Sequence, residues 1–198
     1  MVMHNKSKIQ IYRDQYNFCK PYISKFNTAL DIGCDFLEWS IVMIDDFEAV
    51  KAFDFRPKTK GIKKFFRRYN KAYKKHPNIK LYKHGLAEKR VTRYTKPGVG
   101  RIKGTEKSEG SSWWPVKLHT LDSFDFTNVD FIKLDCDGYE EKILQGGEQT
   151  IKNNKPVIFC ELQPQRCNSH GWLTNHGYKL ADTYFLDGEP HDGLYIIY

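Results

Sequence analysis

The sequence predicts a doubly wound α/β domain on a mostly parallel sheet, and three observations carry that expectation. Short apolar runs alternate with segments of helical period, four of those runs close on an acidic residue, and 198 residues suffice for one sizeable core but not comfortably for two. Apolar residues make up 40% of the chain and aromatic residues 15%, well above the composition of chains that stay disordered.

Residues 7–20 place Ile9, Tyr12, Tyr16 and Cys19 at helix-like spacing before Pro21, which predicts an N-terminal amphipathic helix. Thr28–Ile32 then reads as a short buried strand, Leu37–Asp45 as a helix, Ala49–Phe53 as a strand, Pro57–Lys74 as a basic helix and Asn78–Tyr82 as a third strand. Lys96–Ser112 holds four glycines and a proline, and is expected to be an exposed loop. The rhythm resumes with a strand at Val116–Leu121, a buried strand at Val129–Leu134, a helix at Tyr139–Lys152 and a strand at Pro156–Leu162. Gly177–Phe185 and Leu194–Tyr198, joined by the turn-rich LDGEPHDG, predict a terminal antiparallel hairpin. Residues 1–26 are read as a helical extension and 27–198 as the domain proper.

Five cysteines, odd in number and without a CxxC pair, suit reduced thiols, and the polar N-terminus carries no export signal. No run of about 18 apolar residues suggests a membrane span, so a cytoplasmic location is expected. The net charge of +8 concentrates in Lys58–Lys75, with nine Lys or Arg and no acid. Such a run is either a solvated helix face or a surface for nucleic acid, nucleotide or phosphorylated substrate, and charge alone does not choose. GxSxG, HExxH and GxxxxGK[ST] are all missing, which leaves serine hydrolase, zincin and P-loop readings without support.

Three segments can carry chemistry. In ALDIGCDFLEWS, Asp31 closes a strand and Gly33 permits a tight turn toward a cofactor at a helix start, although an ordinary strand-to-helix turn reads the same way. In VKAFDFRP, Asp54 stands 23 residues after Asp31; alone it reads as a turn acid before Pro57, and paired with Asp31 as the carboxylate that accepts both ribose hydroxyls. In FIKLDCDGYEEKIL, Lys133 interrupts an apolar strand and requires a carboxylate partner, with Asp135 at the strand end. Asp137 and Glu140 fit either this cluster or a helix capping box. Glu161 closes PVIFCEL and reaches the same sheet edge as Asp135 if the two strands are neighbours. Two acids there can orient a substrate hydroxyl, act as general base or hold a divalent metal, though no ligand set for a metal is assigned. The histidines are read as surface or packed residues, His191 among them in a turn.

In order along the chain, DIGCDFLEWS, AFDFRP, TLDSF and IKLDCDGYE resemble the motifs of the FkbM methyltransferase family, and LQGGEQTIKNNKPVIFCEL and GYKL extend the likeness over roughly residues 27–198. The resemblance implies a class I (Rossmann-like) methyltransferase with a mostly parallel seven-stranded sheet and S-adenosylmethionine above its carboxyl edge. It implies that Asp31 and Gly33 line the methionine end, Asp54 the ribose, and Gly85 and Leu86 the adenine side, with Asp135 near the sulfonium. It further implies O-methylation of a hydroxyl on a small molecule or sugar, with Asp135, Glu161 and Lys133 as catalytic candidates. Asp54 and Asp137 stand where the family carries Glu. Leu37 stands where it usually carries a second loop glycine, and a side chain there is expected to crowd the cofactor. Two alternatives follow: a degenerate methyltransferase fold kept as a binding module, and a nucleic-acid methyltransferase using the basic helix 58–75.

Overall fold

The computed structural model describes residues 7–55, 67, 70, 71, 74–95 and 114–197. The expected loop at 96–112 and most of the basic helix lie outside these residues. Within the latter, Arg67, Asn70, Lys71 and Lys74 are helical and exposed.

The main sheet has seven strands: β1 (Thr28–Ile32), β2 (Ala49–Phe53), β3 (Ile79–Tyr82), β7 (Val129–Leu134), β8 (Val157–Glu161), β9 (Lys179–Leu186) and β10 (Glu189–Ile196). Their order is β3-β2-β1-β7-β8-β10-β9, parallel except where β10 runs antiparallel to both β8 and β9. This is the expected class I methyltransferase sheet with its antiparallel hairpin. The chain winds outward from β1 to β3 and returns to β7, so the winding reverses between β1 and β7 and opens a crevice at their carboxyl ends.

The central strands read as unbroken apolar runs because both faces are buried, and their period of two sorts side chains into two cores. Ala29, Phe131 and Phe159 point to one face, where α1 (Lys8–Cys19) and α2 (Glu38–Met43) supply Tyr16, Cys19, Trp39 and Met43. Leu30, Ile132 and Ile158 point to the other, where α3 (Glu140–Gln145), α4 (Glu148–Asn154) and α5 (Ser169–Asn175) supply Leu144, Ile151 and Leu173.

Three differences from the expected elements have local causes. The single helix predicted at Tyr139–Lys152 is two, α3 and α4, because the Gly146 carbonyl accepts from the Asp122 N–H at 3.0 Å, and the Gln149 and Thr150 N–H groups donate to the Asp122 carboxylate, which interrupts the helix ladder. A second sheet, β4-β6-β5, forms from β4 (Gly85–Leu86), β5 (Val91–Thr95) and β6 (Trp114–His119), of which only β6 was expected. In the hairpin, the turn is confined to Asp187 and Gly188, both at positive φ (52° and 86°), the two-residue turn that matches strand twist. Of the rest of the LDGEPHDG segment, Leu186 ends β9, and Glu189 to Gly193, including His191 and Asp192, belong to β10 rather than to a turn.

Candidate functional site

Strand register brings the charged residues together. Asp31 on β1 lies opposite Lys133 on β7, both on the face covered by α1 and α2. Lys133 Nζ donates to the Gly33 carbonyl at 2.8 Å and stands 3.6 Å from both Asp31 Oδ1 and Asp135 Oδ2. Burial alone would lower the Lys133 pKa, but the carboxylates of Asp135 and Asp31 outweigh it and hold the ammonium charged. Burial pushes the Asp31 carboxyl up, with Lys133 and the Ser40 hydroxyl, which donates at 2.6 Å, pulling it back. The carboxylate partner that the sequence demanded for Lys133 is present twice over.

A cleft of about 240 Å³ opens at the carboxyl ends of β1, β2 and β7 and the start of β4. Gly33, Asp54, Gly85, Leu86 and Asp135 line it, so five of the six cofactor candidates share one wall. Asp31, fully buried, is behind that wall and reaches it through Lys133 and Gly33. Gly33 has φ of 81°, and a Cβ there would lie 1.8 Å from the Asp135 carbonyl oxygen, so the β1 and β7 loops can approach only over a glycine. Four carboxylates face the cleft, from Asp35, Asp54, Asp135 and Asp137, and no lysine or arginine is among its described lining residues.

A second cavity, of about 340 Å³, lies on the α1 face and meets the first at Tyr12 and Asp135. Glu161 lines it, beside Phe159 and Lys133. β7 and β8 are neighbours, with Leu134 opposite Cys160, so Asp135 and Glu161 emerge side by side as expected. Desolvation, reinforced by the Asp135 charge, raises the Glu161 pKa to about 7 against the opposing hydrogen bond from Gln163 Nε2. Among the described residues, no three His, Cys, Asp or Glu side chains are grouped to hold a metal ion.

Asp137 is not a helix cap: the residue before α3 is Tyr139, and Asp137 takes a left-handed φ of 57° on the cleft wall, 3.7 Å from Arg166. Glu140 is structural. Fully buried, it accepts from the Cys136 N–H at 2.6 Å and from the Cys167 thiol at 3.3 Å, which braces the loop carrying Asp135. The sequence reading missed Tyr12, which lines both cavities, and the His191–Asp192 pair at 2.8 Å in the second. Tyr12 was legible only as one apolar position of α1.

Residues 39–180 match the family model described as the methyltransferase FkbM domain. The chain belongs to that family. A search among curated proteins finds no match. Among solved structures, the chain is similar to the methyltransferase FkbM of Methylobacillus flagellatus KT, with a TM-score of 0.62, 16% identity and 86% of this chain covered. It spans 43% of that longer chain. A magnesium protoporphyrin IX methyltransferase from Synechocystis PCC 6803, solved with bound SAM, matches 96% of this chain and 79% of its own at a TM-score of 0.56 and 11% identity. A Bacillus subtilis tRNA methyltransferase matches 99% of this chain and 68% of its own at 0.51 and 13%. At these identities the structures show the shared fold. Among the described residues, no helix is long and apolar enough to cross a membrane.

Within this FkbM-family chain, Leu37 does not crowd the cleft. Its backbone adopts the left-handed conformation (φ 67°, ψ 19°) that a glycine would take without strain, and its side chain, fully buried, packs into the core with Trp39 and Met43. Leu37 is not among the described lining residues of the cleft.

Proposed function

We propose that the protein is an S-adenosylmethionine-dependent methyltransferase acting on a hydroxyl of a small molecule or sugar. The observation that carries the reading is charge. A chain of net charge +8 lines a cleft at the carboxyl edge of a methyltransferase sheet with four acidic residues and, among the described lining residues, no lysine or arginine, the cations Lys8, Lys133 and Arg166 standing behind Asp35, Asp135 and Asp137. Such a wall favours a cationic ligand with hydroxyls to donate, and S-adenosylmethionine, with its sulfonium, ammonium and ribose diol, has that chemistry.

In this reading Asp54 accepts the ribose hydroxyls, Gly85 and Leu86 border the base, and Gly33 and Asp135 face the methionine portion, with Asp31 holding the loop through Lys133. Bound there, the cofactor supplies an electrophilic methyl group. The chain supplies position: Lys133 fixes the Asp135 carboxylate, while Asp135 and Glu161 bound the second cavity, where an acceptor hydroxyl would approach in line. Transfer to nucleic acid through residues 58–75 would instead show as steeply salt-dependent retention on RNA or DNA.

Calorimetry with S-adenosylhomocysteine tests the reading. The intact chain is expected to bind, and Asp54→Ala to weaken binding by roughly 10- to 100-fold, as for loss of hydrogen bonds to a charged acceptor. No binding at millimolar ligand would favour the degenerate binding module.

A further inference from the structure

The second cavity contains a histidine–carboxylate pair that the proposed transfer does not yet use. In β10, Pro190 pairs with Phe185 and Asp192 with Tyr184, so His191 is an extra residue, a bulge in the ladder. Strict alternation would turn neighbouring side chains to opposite faces, whereas a bulge re-aims one of them. Here it places consecutive His191 and Asp192 on the wall of one cavity, with His191 Nδ1 2.8 Å from Asp192 Oδ2. Asp192 is buried, and Gln15 of α1 donates to the same oxygen from Nε2 at 3.1 Å. Gln15 Oε1, also buried, has no hydrogen-bond partner among the described residues, which leaves a bare acceptor beside the pair.

The geometry points to His191 as the general base that takes the acceptor hydroxyl proton on Nε2, with Asp192 and Gln15 as positioning residues that fix its tautomer. The inference rests on the proposed hydroxyl transfer. In that step the acceptor oxygen forms a bond to the methyl carbon as the carbon–sulfur bond breaks. The bonding pair stays on sulfur, giving S-adenosylhomocysteine, and the hydroxyl proton moves to His191 Nε2. Asp192 accepts from Nδ1–H, keeps Nε2 unprotonated in the neutral ring and stabilises the imidazolium that forms, a carboxylate–imidazole arrangement with precedent in other enzymes.

The charged and titratable groups that line the cavity with His191 are Asp192 on its own strand, Glu161 from β8, Lys133 from β7, Asp135 just after β7, and Lys8 and Tyr12 from α1. The Asp192 hydrogen bond raises the His191 pKa above 6.5; burial opposes it, and the charges of Asp192, Glu161 and Asp135 add to the rise. Activity through the neutral ring therefore climbs as pH rises through a midpoint above 6.5.

Two measurements test this. Ring-nitrogen NMR of the full chain without ligand should show neutral His191 protonated on Nδ1, with a midpoint that falls in Asp192→Asn; a ring protonated on Nε2 overturns the proposal. Release of S-adenosylhomocysteine from S-adenosylmethionine with methyl hexopyranosides and simple phenols as probes gives the second readout. His191→Gln should lower kcat by about 100-fold or more with little change in KM, and Asp192→Asn should move the acid limb to lower pH. Turnover untouched by His191→Gln overturns the base alone. No turnover with any probe, despite cofactor binding, overturns the hydroxyl-transfer reading and the base with it.

Discussion

Lys133 stands 3.6 Å from both Asp31 and Asp135 with its side chain 5% exposed, whereas Glu161, one strand further on, is only half-buried and shares its cavity with a histidine. The first group is a held charge set: the Lys133 ammonium, buried under α1 and α2 and kept charged, between the buried Asp31 carboxyl and the partly exposed Asp135 carboxylate. The second is a titrating set, with Glu161 raised to about 7 and His191 raised above 6.5. The difference is one of partners. Where register places a cation opposite a carboxylate, the pair fixes geometry; where burial beside another carboxylate raises an acid and a carboxylate hydrogen bond raises an imidazole, both groups titrate near neutrality.

The sharpest way to break this comparison is Lys133→Met. It leaves Asp31 without its cation at zero exposure, and the loss of one partner of a buried pair should destabilise the chain by about 3–5 kcal/mol in urea unfolding. A loss under about 1 kcal/mol would mean that Asp31 is already neutral and that no pair is held.

How far each set was legible in the sequence follows the same division. β1 and β7 were expected at their observed limits, because strands buried on both faces are apolar throughout and a lysine inside one announces its partners. β4 was missed because two residues have no period, and β5, VTRYT, because Val91 is its one aliphatic residue and Arg93 stands at its centre. His191 and Asp192 were read as part of a turn because Gly, Pro and Asp surround them. What defines them is long-range: a bulge set by β9, and Gln15, 177 positions away in the chain. Leu37 was legible as a departure from the family loop, but the direction of its side chain was not.

Leu37→Gly sharpens that last point with a smaller effect. Removing a fully buried leucine should lose about 3–5 kcal/mol, offset by about 1 kcal/mol from relief of the left-handed backbone, for a net loss of about 2–4 kcal/mol. S-adenosylhomocysteine affinity should not improve. A tenfold gain in affinity would restore the crowding that the structure removes.

The smallest expected effect tests the titrating set by stability alone. Glu161 has a folded pKa near 7 against 4.5 ordinarily, so its contribution is fully present below about pH 4.5 and is lost as pH rises through 7. His191 is also raised, and its contribution, present below 6.5, disappears as pH passes its folded value. Both terms have the same sign, so melting temperature should decline from pH 5 to pH 8 in the native chain. Glu161→Gln should flatten the decline, leaving only the part due to His191, and that remainder should shift to lower pH because the Glu161 charge helps to raise the imidazole. Thermal melts across that window decide it. An unchanged slope in Glu161→Gln would place Glu161 in the ordinary carboxylate range and leave His191 as the cavity's one group that titrates near neutrality.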